Sequence, residues 1–96
     1  MKQYLIYAWD GTDELALDRR MNIRPTHLEG AKALKEKGQF LIGGAMLNEA
    51  GQMAGSMMVV QFETEEQLQH WLDNEPYITG KVWENIQVIP FRVANV

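Results

Sequence analysis

The two histidines of this sequence, His27 and His70, are its natural candidates for proton transfer, the first chemistry an imidazole offers. His27 stands in the run Arg24-Pro25-Thr26-His27-Leu28. Pro25 is pre-set for a first helical position, where its missing N–H costs nothing, so a helix is expected to start, or to restart after a kink, at Arg24. Counting by threes and fours, His27, Ala31 and Leu34 share one stripe with Leu28 beside it, while Glu29, Lys32 and Glu36 fall on the opposite side. The imidazole is therefore expected to face inward. It is either a core histidine satisfied by one hydrogen bond or an acid–base group in a pocket. His70 follows Gln69 in a later, more polar helix and reads as a solvated surface residue.

A histidine that moves protons needs a second group to orient it, and three carboxylates are available: Asp73, Glu75 and Asp10. Glu75 is the best placed, because a carboxylate just before a helix-starting proline is held at a turn. Arg24 is available to a substrate or to a carboxylate, and Ser56 has a hydroxyl to donate from a strand. Gly43-Gly44 lies inside another strand, where glycine is unfavourable unless a bulge or a close neighbour requires it; the alternative is room for a ligand beside the sheet. The chain has no P-loop, no GxGxxG, no Ser-His-Asp spacing and no cluster with metal-ligand spacing, so neither metal nor cofactor is expected.

The elements that must position these groups follow from the periodicity. Lys2 to Trp9 alternates as a strand, with Tyr4, Ile6 and Ala8 on one face and Leu5, Tyr7 and Trp9 on the other. Asp10-Gly11-Thr12-Asp13 is turn chemistry, and Thr12 or Asp13 is placed to cap a first helical segment, Glu14 to Asn22, ahead of the main helix from Arg24 to Lys37. Gly38 stands where a left-handed cap is expected. Gln39 to Leu47 and Met53 to Phe62 form a hairpin across Asn48-Glu49-Ala50-Gly51. Thr64-Glu65-Glu66-Gln67 is a capping box for a second helix with Leu68, Trp71 and Leu72 on its apolar stripe. Pro76 then starts a short turn that Gly80 closes, and Lys81 to Val93 is the last strand, with Pro90 marking an edge or a strand end.

The order strand, helix, strand, strand, helix, strand predicts an α+β chain of ferredoxin-like βαββαβ type with an antiparallel sheet. Two helices cover one face of such a sheet, which leaves Leu5, Tyr7, Trp9 and several methionines for a second subunit to cover. A homodimer is the expected state.

The 96 residues fit one domain, 1–96, and 46% hydrophobic with 23% charged is an ordinary globular composition. The N-terminus opens straight into a strand pattern, and no apolar run approaches the roughly 20 residues of a membrane span. With zero cysteines, disulfides and thiol catalysis are excluded, and a cytoplasmic protein is the default. The net charge of −4, without a Lys/Arg cluster, argues against nucleic acid or a membrane surface as partner and leaves small molecules or other proteins.

The run Arg24 to Leu28, the Gly43-Gly44-Ala45 strand, the Gly55-Ser56 strand start and the segment Glu75-Pro76-Tyr77-Ile78-Thr79-Gly80-Lys81-Val82 together resemble YCII-related (YciI-like) proteins, in order and spacing across nearly the whole chain. The resemblance implies a dimeric α+β barrel of ferredoxin-like subunits and a pocket faced by a histidine and a carboxylate proposed as a catalytic pair. On that footing His27 with Glu75 or Asp73 is the expected pair, and Arg24, Gly43, Gly44, Ser56 and Tyr77 the expected substrate-binding residues. The family usually carries aspartate before the Pro-aromatic pair, where this chain has Glu75, one methylene longer. It includes a dehydrochlorinase of chlorinated hydroxyquinols, which implies acid–base chemistry of lyase or isomerase type on a small, cyclic or aromatic molecule. The alternatives are a ligand-binding or accessory dimer that uses the pocket without turnover, and a structural dimer.

Overall fold

In a computed structural model that describes residues 1–96, the alternating segments become four strands and the helical segments three helices. In chain order these are β1 (Lys2–Asp10), α1 (Ala16–Glu36), β2 (Phe40–Leu47), β3 (Met53–Phe62), α2 (Glu65–Asn74), α3 (Pro76–Thr79) and β4 (Trp83–Phe91). The sheet order is β2-β3-β1-β4 with every pair antiparallel, the ferredoxin-like arrangement in which each crossover skips one strand. β4 lies at an edge, so the proline at position 90 interrupts no central ladder.

The period-two pattern decides which side chains meet the helices. Tyr4, Ile6 and Ala8 of β1 stand opposite Val60, Met58 and Ser56 of β3, and these register pairs lie on the helix-covered face. With Phe62, Leu34, Leu68, Tyr77, Val82 and Trp83 they build the core. Each large apolar side chain so buried contributes about 1.5–3 kcal/mol before entropy is counted. On the opposite face Leu5 pairs with Ile89 and Gln3 with Phe91, and Trp9, Ile89 and Phe91 remain 51%, 40% and 41% exposed.

Local chemistry accounts for the helix ends. Thr64 Oγ1 accepts from the Gln67 N–H at 3.2 Å while Gln67 Oε1 accepts from the Thr64 N–H, the reciprocal capping box the sequence predicts. Gly38, at φ 72°, ends α1: its N–H reaches the Lys35 carbonyl at 3.0 Å and the Gln39 N–H the Leu34 carbonyl at 2.8 Å.

The division of the first helical region into two segments at Pro25 is corrected. α1 runs unbroken through Pro25 from Ala16, and no side chain caps it; Asp13 supplies only a backbone carbonyl to the Ala16 N–H. Proline deletes the bond its nitrogen would make to the Met21 carbonyl, but both residues are exposed, so water replaces that partner. The buried residues Ala16, Arg20, His27 and Leu34 hold the helix to the sheet on both sides of it. The last strand also begins later than expected, at Trp83, because Lys81 takes a left-handed φ of 57° in the turn before it. The glycine pair is no bulge itself: register shifts fall on either side of it, between Phe40 and Ile42 and between Met46 and Leu47.

Candidate functional site

His27 is 8% exposed and projects from the middle of α1 toward the turn between α2 and α3. That turn is built by Glu75. Its backbone is extended, as the residue before a proline must be, and its Oε1 accepts the Tyr77 N–H at 3.1 Å as the cap of α3. The same oxygen meets His27 Nδ1 in a short hydrogen bond. A carboxylate oxygen only accepts, so Nδ1–H donates to Oε1, and Nε2 makes no hydrogen bond within the chain. Glu75 is 2% exposed, which keeps water from competing for the bond.

Tyr77 completes the histidine's surroundings. Its ring stacks on the imidazole with centroids 3.9 Å apart and planes 12° from parallel, and Trp83 meets the imidazole edge-on at 6.0 Å. The contact depends on Gly80. A β-carbon there would lie 2.8 Å from the Pro76 carbonyl and collide with Ile23 of α1, so only glycine lets α3 approach the helix that carries His27. The Tyr77 hydroxyl is buried without a hydrogen-bond partner. Burial pushes this phenol above its ordinary value, against the opposing pull of the Arg20 and Arg24 cations, so the hydroxyl is a donor at neutral pH.

One residue of the site escaped the sequence reading. Arg20, two turns before His27 on the same helix face, is 2% exposed. One of its amino groups reaches both oxygens of Asp10 at 2.9 and 3.0 Å, and the other Ser56 Oγ at 2.8 Å. Its guanidinium carbon lies 4.8 Å from the Tyr77 ring centroid, on a cation–π contact. The seven-residue spacing from Arg20 to His27 was the available signal, and it is visible only if the helix is read through Pro25.

Two expected partners of His27 are corrected. Asp10 is committed to Arg20, and Asp73, exposed on α2, accepts from Gln69 at 2.8 Å one turn away. Asp73 lies in the last turn of α2 with its side chain in solvent, whereas Glu75 follows the helix in an extended conformation that takes its carboxylate inward. Expected residues converge elsewhere: Arg24, His27, Gly43, Gly44, Ser56 and Tyr77, joined by Arg20, border one cavity of about 90 Å³ between α1 and β2. Within it Ser56 is already engaged by Arg20, and the space above Gly43 is filled by the Phe40 ring, 2.8 Å from where a β-carbon would sit. Gly44 has nothing within 4 Å of that position. His70 is exposed.

A family model described as the YCII-related domain matches residues 2–92. This chain belongs to the YCII-related family. Among the relatives of this YCII-related protein, Protein YciI of Escherichia coli is 36% identical over 95 residues, covering 93% of this chain and 95% of its own. Among solved structures, the 5-chloro-2-hydroxyhydroquinone dehydrochlorinase of Burkholderia phenoliruptrix, in complex with 2,5-dihydroxybenzoquinone, superposes with a TM-score of 0.82 at 21% identity over 96% of this chain and 95% of that one. A dimeric ferredoxin-like protein of unknown function from Jannaschia has a TM-score of 0.56 at 16% identity over 97% of this chain and 100% of that one. These two likenesses establish the shared fold. No helix of this YCII-related protein is long and apolar enough to cross a membrane.

Proposed function

We propose that this YCII-related protein is a small homodimeric acid–base enzyme of lyase or isomerase type. The observation that carries the reading is the buried His27–Glu75 hydrogen bond with the second ring nitrogen left free at the edge of a cavity. In this reading Glu75 fixes the tautomer and the ring orientation, and Nε2 takes a proton from a small substrate. Loss of that proton lets the substrate either expel a neighbouring leaving group or shift a double bond. The imidazolium then returns the proton to the group that leaves or to the new position. A fold shared with a dehydrochlorinase that binds a quinone supports a small cyclic molecule as substrate. Placing the chemistry on a helix and a helix cap, rather than on loops, holds the two groups at a constant distance.

The dimer rests on the uncovered sheet face. Trp9, Ile89 and Phe91 remain exposed there, on the side the helices leave open. A second copy is the natural cover, in an interface on the order of 2,000 Å². Tyr7→Asp puts a charge on that face and is expected to dissociate the dimer; sedimentation of the parent as monomer at micromolar concentration refutes the assembly. For the chemistry, His27→Gln and His27→Ala are both expected to lower turnover by ~10²-fold or more with the dimer intact. Turnover retained in His27→Gln overturns the acid–base role.

A further inference from the structure

The arginines around the cavity are not all paired. Arg20, Arg24 and His27 border it, and no carboxylate does. Arg20 is answered by Asp10 and His27 by Glu75, both through direct hydrogen bonds from buried groups. Arg24 makes no ion pair, although it is half-buried and close enough for its charge to act on the Tyr77 phenol. Arg24 is therefore the cation at this cavity that no carboxylate of the chain answers. Beside it the Tyr77 hydroxyl, on a side chain with 0% exposure, has no hydrogen-bond partner. Buried donors are almost always satisfied, so an unsatisfied one on a residue that borders a cavity, together with an unanswered cation, marks the place of an acceptor that carries negative charge.

From this we infer that the cavity binds a monoanionic small molecule, whose ionised oxygen is held by the Arg24 guanidinium and the Tyr77 hydroxyl while the rest of the molecule lies toward His27. The inference rests on the acid–base reading of the same site and adds the charge of the ligand to it. Size agrees with an anionic head group. A volume of about 90 Å³ is the share of roughly three waters, less than the ~150 Å³ cavity that takes up benzene, so the enclosed part of the site suits a small anionic group rather than a whole ring. Arg20, closed on Asp10 and Ser56, positions the Tyr77 ring through its cation–π contact.

The test uses three probes on the full chain: acetate, its uncharged analogue acetamide, and 4-nitrophenolate. Each is titrated at constant ionic strength and followed by the His27 and Tyr77 ring resonances in NMR spectra. Saturable shifts with acetate or 4-nitrophenolate, absent with acetamide, are expected, and whichever anion binds tells a carboxylate site from a phenolate site. Arg24→Gln is expected to weaken the binding about tenfold or more, as loss of a charge-assisted hydrogen bond does. Tyr77→Phe, which removes only an unpartnered hydroxyl, should weaken it several-fold while the melting temperature stays level or rises. Acetamide binding as well as acetate, no saturable shift with either anion, or full affinity in Arg24→Gln overturns the inference. Binding is read without turnover, so failure of the anion site leaves the role of His27 standing, and inactivity of the protein leaves the anion site standing.

Discussion

Two buried hydrogen-bonded pairs hang from one face of α1, seven residues apart, and they differ in what they leave free. In the first, Asp10 and Arg20 spend themselves on each other and on Ser56. Burial raises the Asp10 carboxyl above its ordinary value, more than the hydrogen bond and charge of Arg20 lower it, so desolvation dominates there. In the second, Glu75 accepts from His27 and from the Tyr77 backbone, but the imidazole keeps a free nitrogen and the stacked tyrosine an unpartnered hydroxyl. Both pairs are as dry as the core. What separates them is how much hydrogen-bonding capacity the chain leaves unused. The first pair leaves only the Arg20 Nε–H without a partner, whereas the second leaves a ring nitrogen and a hydroxyl beside a cavity.

The sharpest way to break the comparison is to open the first pair. Arg20→Met leaves Asp10 buried without its cation and is expected to cost about 3–5 kcal/mol in urea unfolding. Adding Asp10→Leu to that variant should restore most of the loss, because an apolar pair of similar volume substitutes well for a buried ion pair. No recovery in the double variant would show that Asp10 has a further role. Treating the second pair in the same way should give a smaller stability loss. His27→Ala strands the Glu75 carboxylate and is expected to cost about 1–3 kcal/mol, whereas His27→Gln retains a hydrogen-bonding amide and should cost under that range. The two pairs thus differ in kind: variants of the first are read in stability, variants of the second in turnover.

Gly80→Ala loosens the second pair directly and reaches the first only through the Arg20–Tyr77 contact. Its β-carbon meets Ile23 and the Pro76 carbonyl, so α3 must move away from α1 at a cost of about 1–3 kcal/mol. The His27 ring resonances should shift more in this variant than those of the residues around Asp10. The smallest effect concerns alkaline pH. Tyr77 in the folded chain holds its proton above the ordinary 10.0, so the folded state binds more protons than the unfolded one once pH passes that value. Its contribution is fully present below pH 10.0 and is lost as pH rises through the folded value. Tyr77→Phe should accordingly match the parent near neutral pH and lose less stability than the parent in alkaline solution, as measured by chemical denaturation across that range. Equal alkaline losses would mean the phenol ionises freely in the fold.

Much of this molecule is written locally. The period-two alternation of Lys2 to Trp9 and Met53 to Phe62, the Thr64 capping box and Gly38 predict the element order, and that order with antiparallel pairing leads to the ferredoxin-like sheet. The inward face of His27 and the turn at Glu75-Pro76 were legible for the same reason, since both follow from contacts within a few residues along the chain. Pro25 misled, because proline's local rule against helix interiors yields when both its ring and the carbonyl it frees lie in water. What only the tertiary structure decided is which charge meets which. Three carboxylates were open to His27, and the chain's path sent Asp10 to Arg20, left Asp73 to Gln69 in solvent, and brought Glu75 to the imidazole from 48 residues away. Pairing at that range has no sequence signature, because the energy that selects a partner comes from excluding water around it, and burial exists only once β1, α1 and the α2–α3 turn have packed together.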